Sequence, residues 1–200
     1  MKASRWNGGR AGVTLIELAV VLVLLGTMAG LAIPRLNLSA YRADAAAQQV
    51  RSVFQTAQRT SLTRQYDVIV SVDTLKGGLR IAEDVNNNGA IEISEWKFWR
   101  PPGEGNRFAV PPAGVEPGTG VTYRPIGASV AGPALKTVDG LPSVIFHRNG
   151  STSSEMEVYM SSRYRGRTDF RGITLTRSTG RTELYRLEGA GATARWRIAQ

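Results

Sequence analysis

The feature that most constrains this chain is an apolar run close to its N-terminus. Residues 13–33 form a stretch of 21 residues in which Glu17 is the one charged side chain. A helix rises about 1.5 Å per residue, so a run of this length can cross the roughly 30 Å hydrocarbon core of a bilayer. The run therefore predicts a membrane-spanning helix over residues 13–35.

The segment before the apolar run is short, polar and basic. Residues 1–12 contain Lys2, Arg5 and Arg10 and no acidic side chain. Basic flanks tend to stay on the cytoplasmic side of a membrane. We therefore expect residues 1–12 to be a cytoplasmic leader and the part after the apolar run to be exported.

The carboxylate of Glu17 is unusual within an apolar run, because inserting such a group at a helix centre costs roughly 2.5 to 3.5 kcal/mol. A conventional secretory signal has a shorter apolar core followed by a small-x-small cleavage site, and this run has neither property. A plain single-pass anchor fits the length but supplies no partner for Glu17. The carboxylate indicates a helix that meets a cation elsewhere.

The residues around Glu17 resemble the signature of type IV prepilins. The shared features are Gly12, the segment Val13 to Glu17, the unbroken apolar helix and Pro34. In that family a prepilin peptidase cleaves after the glycine and N-methylates the new first residue, which would here be Val13. The resemblance assigns Glu17 and Pro34 to assembly, with the Val13 ammonium of one subunit neutralising Glu17 of its neighbour. Prepilins usually have phenylalanine at the position of Val13, and a plain anchor remains the alternative.

A helical period continues after the apolar run. Four apolar side chains recur at the spacing of one helix face: Val50, Val53, Phe54 and Ala57. This spacing predicts an amphipathic helix over residues 36–65 that belongs to the globular domain. We expect it to continue the helix of residues 13–35, with a local bend at Pro34.

From residue 66 onward the period changes to the alternation of β-strands. Short alternating segments are joined by turn-type sequences such as Asn149-Gly150. Residues 101–142 are rich in Pro and Gly and predict a long loop with one short strand near residues 121–124. The sequence thus predicts an α+β, pilin-like fold, in which a long N-terminal helix with a transmembrane first half packs on antiparallel β-sheet. Residues 66–200 are expected to be the β-rich globular domain.

Three C-terminal segments resemble the GspH/FimT-type minor pseudopilins: VIFHRNGS at 144–151, EVYM at 157–160 and RGITLTRSTGR at 171–181. The resemblance implies a minor subunit of a type II secretion pseudopilus or a type IV pilus, which acts in assembly near the tip and in protein contact. Its implied partners are other pilins or pseudopilins, the prepilin peptidase and an inner-membrane assembly platform. The implied location is the inner membrane, with one membrane pass and the C-terminal domain in the periplasm or on the assembled pilus.

Residues 84–95 match the spacing of a calcium-binding loop, with Gly89 at the sharp turn. The candidate ligands are Asp84, Asn86, Asn88, the carbonyl of Ala90, Glu92 and Glu95. Two asparagines in place of aspartates lower the charge, which predicts weak affinity, on the order of 10⁻⁴ to 10⁻³ M. The alternative is an Asn-Gly hairpin turn that needs no Ca²⁺. The sequence predicts no other cofactor.

The whole chain has a net charge of +9, and arginines are frequent in its C-terminal part. The candidate nucleic-acid contacts are Arg163, Arg165, Arg167 and Arg181. Arg163, Arg165, Arg167 and Arg171 all have odd numbers, so an extended segment would place these four side chains on one face. FimT-type minor pilins that take up DNA are similar in having a Gly-Arg-x-Arg turn, but this chain has Glu183 at the second arginine position. DNA binding for uptake is therefore the alternative function, and a solvated basic face is the simpler interpretation.

The sequence contains no constellation typical of an enzyme. It has no cysteine, a single histidine (His147), no Gly-x-Ser-x-Gly segment and no phosphate-binding loop. We therefore expect a protein that does not catalyse a reaction. Trp96, Phe98 and Trp99 are expected in the core or at its rim, where an exposed aromatic ring would mark a subunit contact.

Overall fold

The computed structural model describes residues 12–32, 38–103, 105–112, 128–164, 166–189 and 195–199. The chain divides into two compact units, Met1–Asn37 and Leu38–Gln200. In its described part the first unit contains one helix, α1. The described part of the second unit contains helix α2 and eleven strands.

Helix α1 comprises the 18 residues Leu15–Ala32. Thr14 caps its N-terminus, because the Thr14 Oγ1 accepts a hydrogen bond from the Glu17 N–H at 3.3 Å. The Glu17 carboxylate lies in the first turn, where the helix dipole favours a negative charge.

The structure corrects the predicted membrane span. Among the described residues, no helix is both long enough and apolar enough to cross a membrane. With 18 residues, α1 is about 27 Å long, which is shorter than the hydrocarbon core. The transmembrane prediction for residues 13–35, and the single-pass inner-membrane location derived from it, are therefore wrong.

Helix α2 is a separate helix of 27 residues, Leu38–Arg64. Its buried side chains recur every three or four residues and are Ser39, Ala43, Ala46, Ala47, Val50, Val53, Phe54, Ala57 and Ser61. Gln65 ends the helix with a φ of 61°, and its N–H donates to the Ser61 carbonyl. The predicted fold, with one long N-terminal helix packed on a sheet, is wrong, because the described residues form two helices and mostly antiparallel sheet. Pro34, the predicted bend, lies outside the described residues.

The strands form two antiparallel sheets, and their bounds are β1 Asp67–Asp73, β2 Gly78–Asp84, β3 Lys97–Arg100, β4 Asn106–Phe108, β5 Val130–Ala131, β6 Lys136–Val138, β7 Leu141–Phe146, β8 Met156–Tyr164, β9 Arg167–Leu175, β10 Thr182–Glu188 and β11 Arg195–Ile198. The first sheet has the order β3-β2-β1-β7-β6, and the second has the order β11-β10-β9-β8-β4, with β5 also paired to β8. Strands β4, β5 and β6 lie within residues 101–142, which the sequence predicts to be mostly loop. The short strand predicted near residues 121–124 lies outside the described part.

The main hydrophobic core joins α2 to both sheets. It contains Val50 and Phe54 of α2 together with Val70 of β1, Val158 of β8 and Ile173 of β9, all of them fully buried. The ring centroids of Phe54 and Phe146 are 6.1 Å apart. Because one helix face covers strands of both sheets, loss of its side chains would destabilise both sheets together.

A buried ionic network ties the N-terminal half of α2 to β9 and β10. The Arg171 side chain is fully buried, and its Nε donates to Asp44 Oδ1 at 2.5 Å. Arg186 donates to the other oxygen of Asp44 at 2.8 Å. One turn earlier in α2, the Ser39 hydroxyl donates to Asp169 of β9. Asp44 therefore neutralises a guanidinium that has no access to water.

Candidate functional site

The predicted processing site lies directly before α1. A Cβ added to Gly12 would meet no atom within 4 Å, so packing within the described chain does not require glycine there. Val13 is exposed. Glu17 is exposed as well, and it forms no ion pair with any residue that the structure describes.

Helix α1 exposes apolar side chains around its whole circumference. Leu15 is 88% exposed and Leu22 is 60% exposed. The other large exposed side chains of α1 are Ile16, Leu18, Val20, Val21, Val23, Leu24, Leu25 and Met28. An exposed apolar surface of this extent is typical of an interaction site rather than of a solvated surface.

The predicted calcium loop is closed by hydrogen bonds to its own backbone. The buried Asp84 carboxylate accepts the N–H groups of Asn88 at 3.0 Å and Gly89 at 2.7 Å. At the other end of the loop, Glu95 accepts the N–H groups of Val85 and Glu92, both at 3.0 Å. The two carboxylates thus satisfy four main-chain donors, which is a complete structural role without an ion.

The remaining candidate ligands of the loop contact one another. The Asn86 and Asn88 amides both donate to Glu92 Oε1 at 3.0 Å. Asn88 Oδ1 accepts the N–H of Ala90 at 2.8 Å. Within the described ranges, no group of three or more Asp, Glu, His or Cys side chains is placed to hold a metal ion. Residues 84–95 thus form a turn held by hydrogen bonds among its own side chains and backbone, and the calcium site stays a prediction.

The arginines do not form a single row. Strands β8 and β9 form a hairpin in which Tyr164 pairs with Arg167, so Arg163 and Arg167 lie on different strands. Arg171 is buried against Asp44, and Arg181 forms an ion pair with Glu183 at 3.2 Å. Arg165 lies outside the described residues. Directly opposed residues share a face, so Arg163, opposite Thr168, and Arg167, opposite Tyr164, lie on opposite faces of the sheet, and the expected one-face strip does not form.

His147 lines a cavity of about 620 Å³, together with Lys136, Ser151, Thr152, Ser153, Glu155, Arg177 and Ser178. Its Nδ1 is 2.7 Å from Asp67 Oδ2. The Ser151 hydroxyl donates to Asn149, and the Ser153 hydroxyl accepts the N–H of Ile145. In the described part of the cavity, no hydroxyl is hydrogen-bonded to His147 as an activated nucleophile requires.

A second hydrophobic cluster, on the opposite face of the β8–β11 sheet, holds a perturbed carboxyl group. Tyr159, Tyr185 and Trp196 are buried there. The Tyr159 hydroxyl donates to Glu157 at 3.0 Å. Burial raises the pKa of Glu157 to about 6, the Tyr159 hydrogen bond opposes this shift, and the nearby Glu155 charge adds to it. Burial also raises the pKa of Tyr159.

The structure exposes two tryptophans that the sequence places in the core or at its rim. Trp96 is 56% exposed and Trp99 is 44% exposed, at the edge strand β3. The alternation of the segment indicates a strand but cannot show that this strand lies at the end of its sheet. The sequence signal for an edge strand is the presence of charged residues among the aromatic residues of this segment.

The chain matches no protein-family model, no curated protein and no solved structure. Its function must therefore be inferred from its own residues. The two surfaces that stand out are the apolar circumference of α1 and the aromatic edge at β3, since the loop of residues 84–95, Arg171 and Arg181 are engaged in internal contacts.

Proposed function

We propose that the chain is a pilin-like assembly subunit, a minor pseudopilin or minor pilin, which acts by packing rather than by catalysis. The observation that carries this proposal is α1, an exposed apolar helix with a single carboxylate, Glu17, in its first turn. Burying one large aliphatic side chain in an apolar environment contributes about 1.5 to 3 kcal/mol. Ten such side chains on one helix supply a strong driving force for packing among helices of neighbouring subunits.

The position of Glu17 gives that packing a register. Cleavage after Gly12 would create an ammonium group at Val13, and α1 of one subunit could present it to Glu17 of the next. At ~4 Å and an effective dielectric constant of ~20, two unit charges attract by about 4 kcal/mol. A helix shifted out of this register would leave the carboxylate unpaired in an apolar bundle, which is costly.

Processing can be tested by mass spectrometry of the chain produced together with a prepilin peptidase. The wild type should lose residues 1–12 and gain one methyl group on Val13. Gly12→Ala should keep residues 1–12, whereas the matched variant Gly9→Ala should be processed normally. An intact N-terminus in the wild type would contradict the proposal.

Assembly can be tested separately from processing, by measuring incorporation of the chain into sheared fibres. Glu17→Ala should be cleaved normally but incorporated at least tenfold less than the wild type. Thr27→Ala, a polar-to-alanine change in the same helix, should be incorporated normally. Equal incorporation of the Glu17→Ala variant would show that the carboxylate does not set the register.

The alternative function, DNA binding through the C-terminal arginines, has less support. Arg171 is buried, and the exposed Arg181 guanidinium has the carboxylate of Glu183 beside it at 3.2 Å, which repels a phosphate. We therefore retain assembly as the proposed function.

A further inference from the structure

Strand β3 has an open edge. It lies at one end of its sheet and pairs with β2 on one side only, among the strands that the structure describes. The Glu83 N–H donates to the Trp96 carbonyl at 3.1 Å, which makes Glu83 and Trp96 a hydrogen-bonded pair. Because such pairs alternate along an antiparallel ladder, the N–H and C=O groups of Lys97 and Trp99 point away from β2. These groups are free to pair with another strand.

Aromatic side chains flank this edge on both faces of the sheet. Trp96 and Phe98 lie on one face, with ring centroids 4.6 Å apart, and Trp99 lies on the opposite face. Ile93, just before the strand, is 99% exposed. Exposed tryptophans beside unpaired main-chain groups indicate a binding site, while the short length and the charges of the strand restrict which strands can pair with it.

The edge is also positively charged. Lys76 Nζ lies 5.6 Å from the ring centroid of Trp99, and Arg100 Cζ lies 5.6 Å from that of Phe98. Lys76, Lys97 and Arg100 have no carboxylate partner within ion-pair distance in the described part of the chain, whereas the nearby Arg80 is paired with Asp139. The edge thus presents three uncompensated cations.

A small cavity lies between α2 and this edge. Its volume is about 200 Å³. Val53, Ile81 and Phe98 give it an apolar wall, and Gln49, Thr56 and Arg100 give it polar ones. It can take one apolar side chain from a strand laid along β3, on the face that carries Phe98.

We propose that the open edge of β3 binds an extended, acidic segment of a partner protein, which adds as a sixth strand to the β3-β2-β1-β7-β6 sheet. The partner's main chain pairs with Lys97 and Trp99, its carboxylates contact Lys76 and Lys97 on the Trp99 face, and an apolar side chain enters the cavity on the Phe98 face. A second copy of this chain does not fit, because edge-to-edge pairing would bring Lys97 and Arg100 close to their own counterparts. The proposal does not depend on the assembly role of α1, since none of these residues belongs to α1.

The probe for this site is an eight-residue peptide of alternating glutamate and valine, with a lysine-valine peptide of the same length as control. Binding to the full chain in a mild detergent is followed by tryptophan fluorescence and by the amide NMR shifts of Lys97 and Trp99. We expect the acidic peptide to bind at least tenfold more tightly than the basic one, and more weakly as salt is added. Failure of the wild type to bind the acidic peptide would overturn the proposal.

Two substitutions at position 97 separate main-chain pairing from charge. Lys97→Pro removes an N–H that β2 does not use and should weaken binding at least tenfold, whereas Lys97→Ala keeps the N–H and should weaken it about twofold to threefold. Arg163→Ala, which removes an exposed charge from another strand, should have no effect. Equal affinities of the Lys97→Pro and Lys97→Ala variants would refute strand addition.

A charge reversal keeps the proposal testable if Lys97→Pro fails to fold. Lys76→Glu should reduce the preference for the acidic peptide at least tenfold, because it places a carboxylate beside the glutamates of the incoming strand on the Trp99 face. An unchanged preference would refute the assigned role of the cations.

Discussion

Replacing Asp44 by alanine should remove the partner of a fully buried charge, the Arg171 guanidinium. Arg171 is fully buried, and its Nε contacts Asp44 Oδ1, while its other donors reach the carbonyls of Phe170 and Ala40. Breaking a buried ion pair from one side costs about 3 to 5 kcal/mol, because the remaining charge stays in a medium of low polarity. Asp44 is itself about one-third exposed, so water can enter after truncation, and we expect the lower limit, about 3 kcal/mol.

The assay is urea unfolding of the full chain, supported by thermal unfolding. A loss of about 3 kcal/mol should lower the Tm by roughly 6 to 12 °C for a unit of this size. The matched control is Glu188→Ala, which breaks the exposed ion pair with Arg197 and should cost less than ~1 kcal/mol. The double variant Asp44→Leu/Arg171→Met should recover most of the loss, because it removes both charges.

A small effect would refute the reasoning. If Asp44→Ala cost less than ~1 kcal/mol, the buried guanidinium would be adequately solvated by the two carbonyls alone. If the double variant were no more stable than Asp44→Ala, the loss of stability would come from packing of α2 rather than from the unpaired guanidinium of Arg171.

Three further predictions concern the remaining sites. Asp84→Ala should lower the free energy of unfolding by about 2 kcal/mol, because the Gly89 N–H loses its acceptor and the Asn88 N–H keeps only Asn86, whereas Ser94→Ala in the same loop should change it by less than ~0.5 kcal/mol. A Ca²⁺-dependent rise in Tm that requires Asp84 would instead support the calcium interpretation. The pKa of Glu157 is raised from 4.5 to about 6 in the folded chain. The protonated carboxyl group should therefore contribute its full stabilisation below pH 4.5, and this stabilisation should be lost as the pH rises through 6. The loss should be no more than ~1 kcal/mol, because the group is partly solvated. Unfolding measured between pH 4 and 8 should show this difference between the wild type and Glu157→Gln, and parallel profiles would contradict it. In a gel-shift assay at low salt, Arg181→Ala should leave any retardation of DNA unchanged, because Glu183 already pairs with Arg181; a large loss of retardation would support DNA binding.

Elements with a strong local period could be predicted from the sequence. The spacing of Val50, Val53, Phe54 and Ala57 predicts a helix over residues 36–65, and α2 comprises residues 38–64. The alternating residues 68–72 lie in β1, which is buried on both faces. Such patterns predict helices and strands because the spacing of the apolar residues follows from burial of one face of each element against its neighbours.

Features that depend on distant residues could not be predicted. Strands β4, β5 and β6 have only two or three residues each, too few to produce a period, and they exist because β7 and β8 offer them pairing partners. Arg171 pairs with Asp44, which is 127 positions away in the sequence. No local pattern indicates this pair, so the odd spacing of Arg171 with its neighbouring arginines predicted an exposed basic strip instead. The apolar run predicts a membrane span from composition, whereas no helix among the described residues is long and apolar enough to cross a membrane.

The ionic network of Asp44 also has a mechanical consequence. Tension transmitted along the backbone from residue 37 enters the second unit at Leu38, next to Ser39 and six residues before Asp44. The bonds of Ser39 to Asp169, of the Ala40 carbonyl to Arg171, and of Asp44 to Arg171 and Arg186 are early links to the β8–β11 sheet that such a load would reach. Pulling force would therefore be shared early with β9 and β10, which protects the remaining turns of α2 from being peeled away one after another.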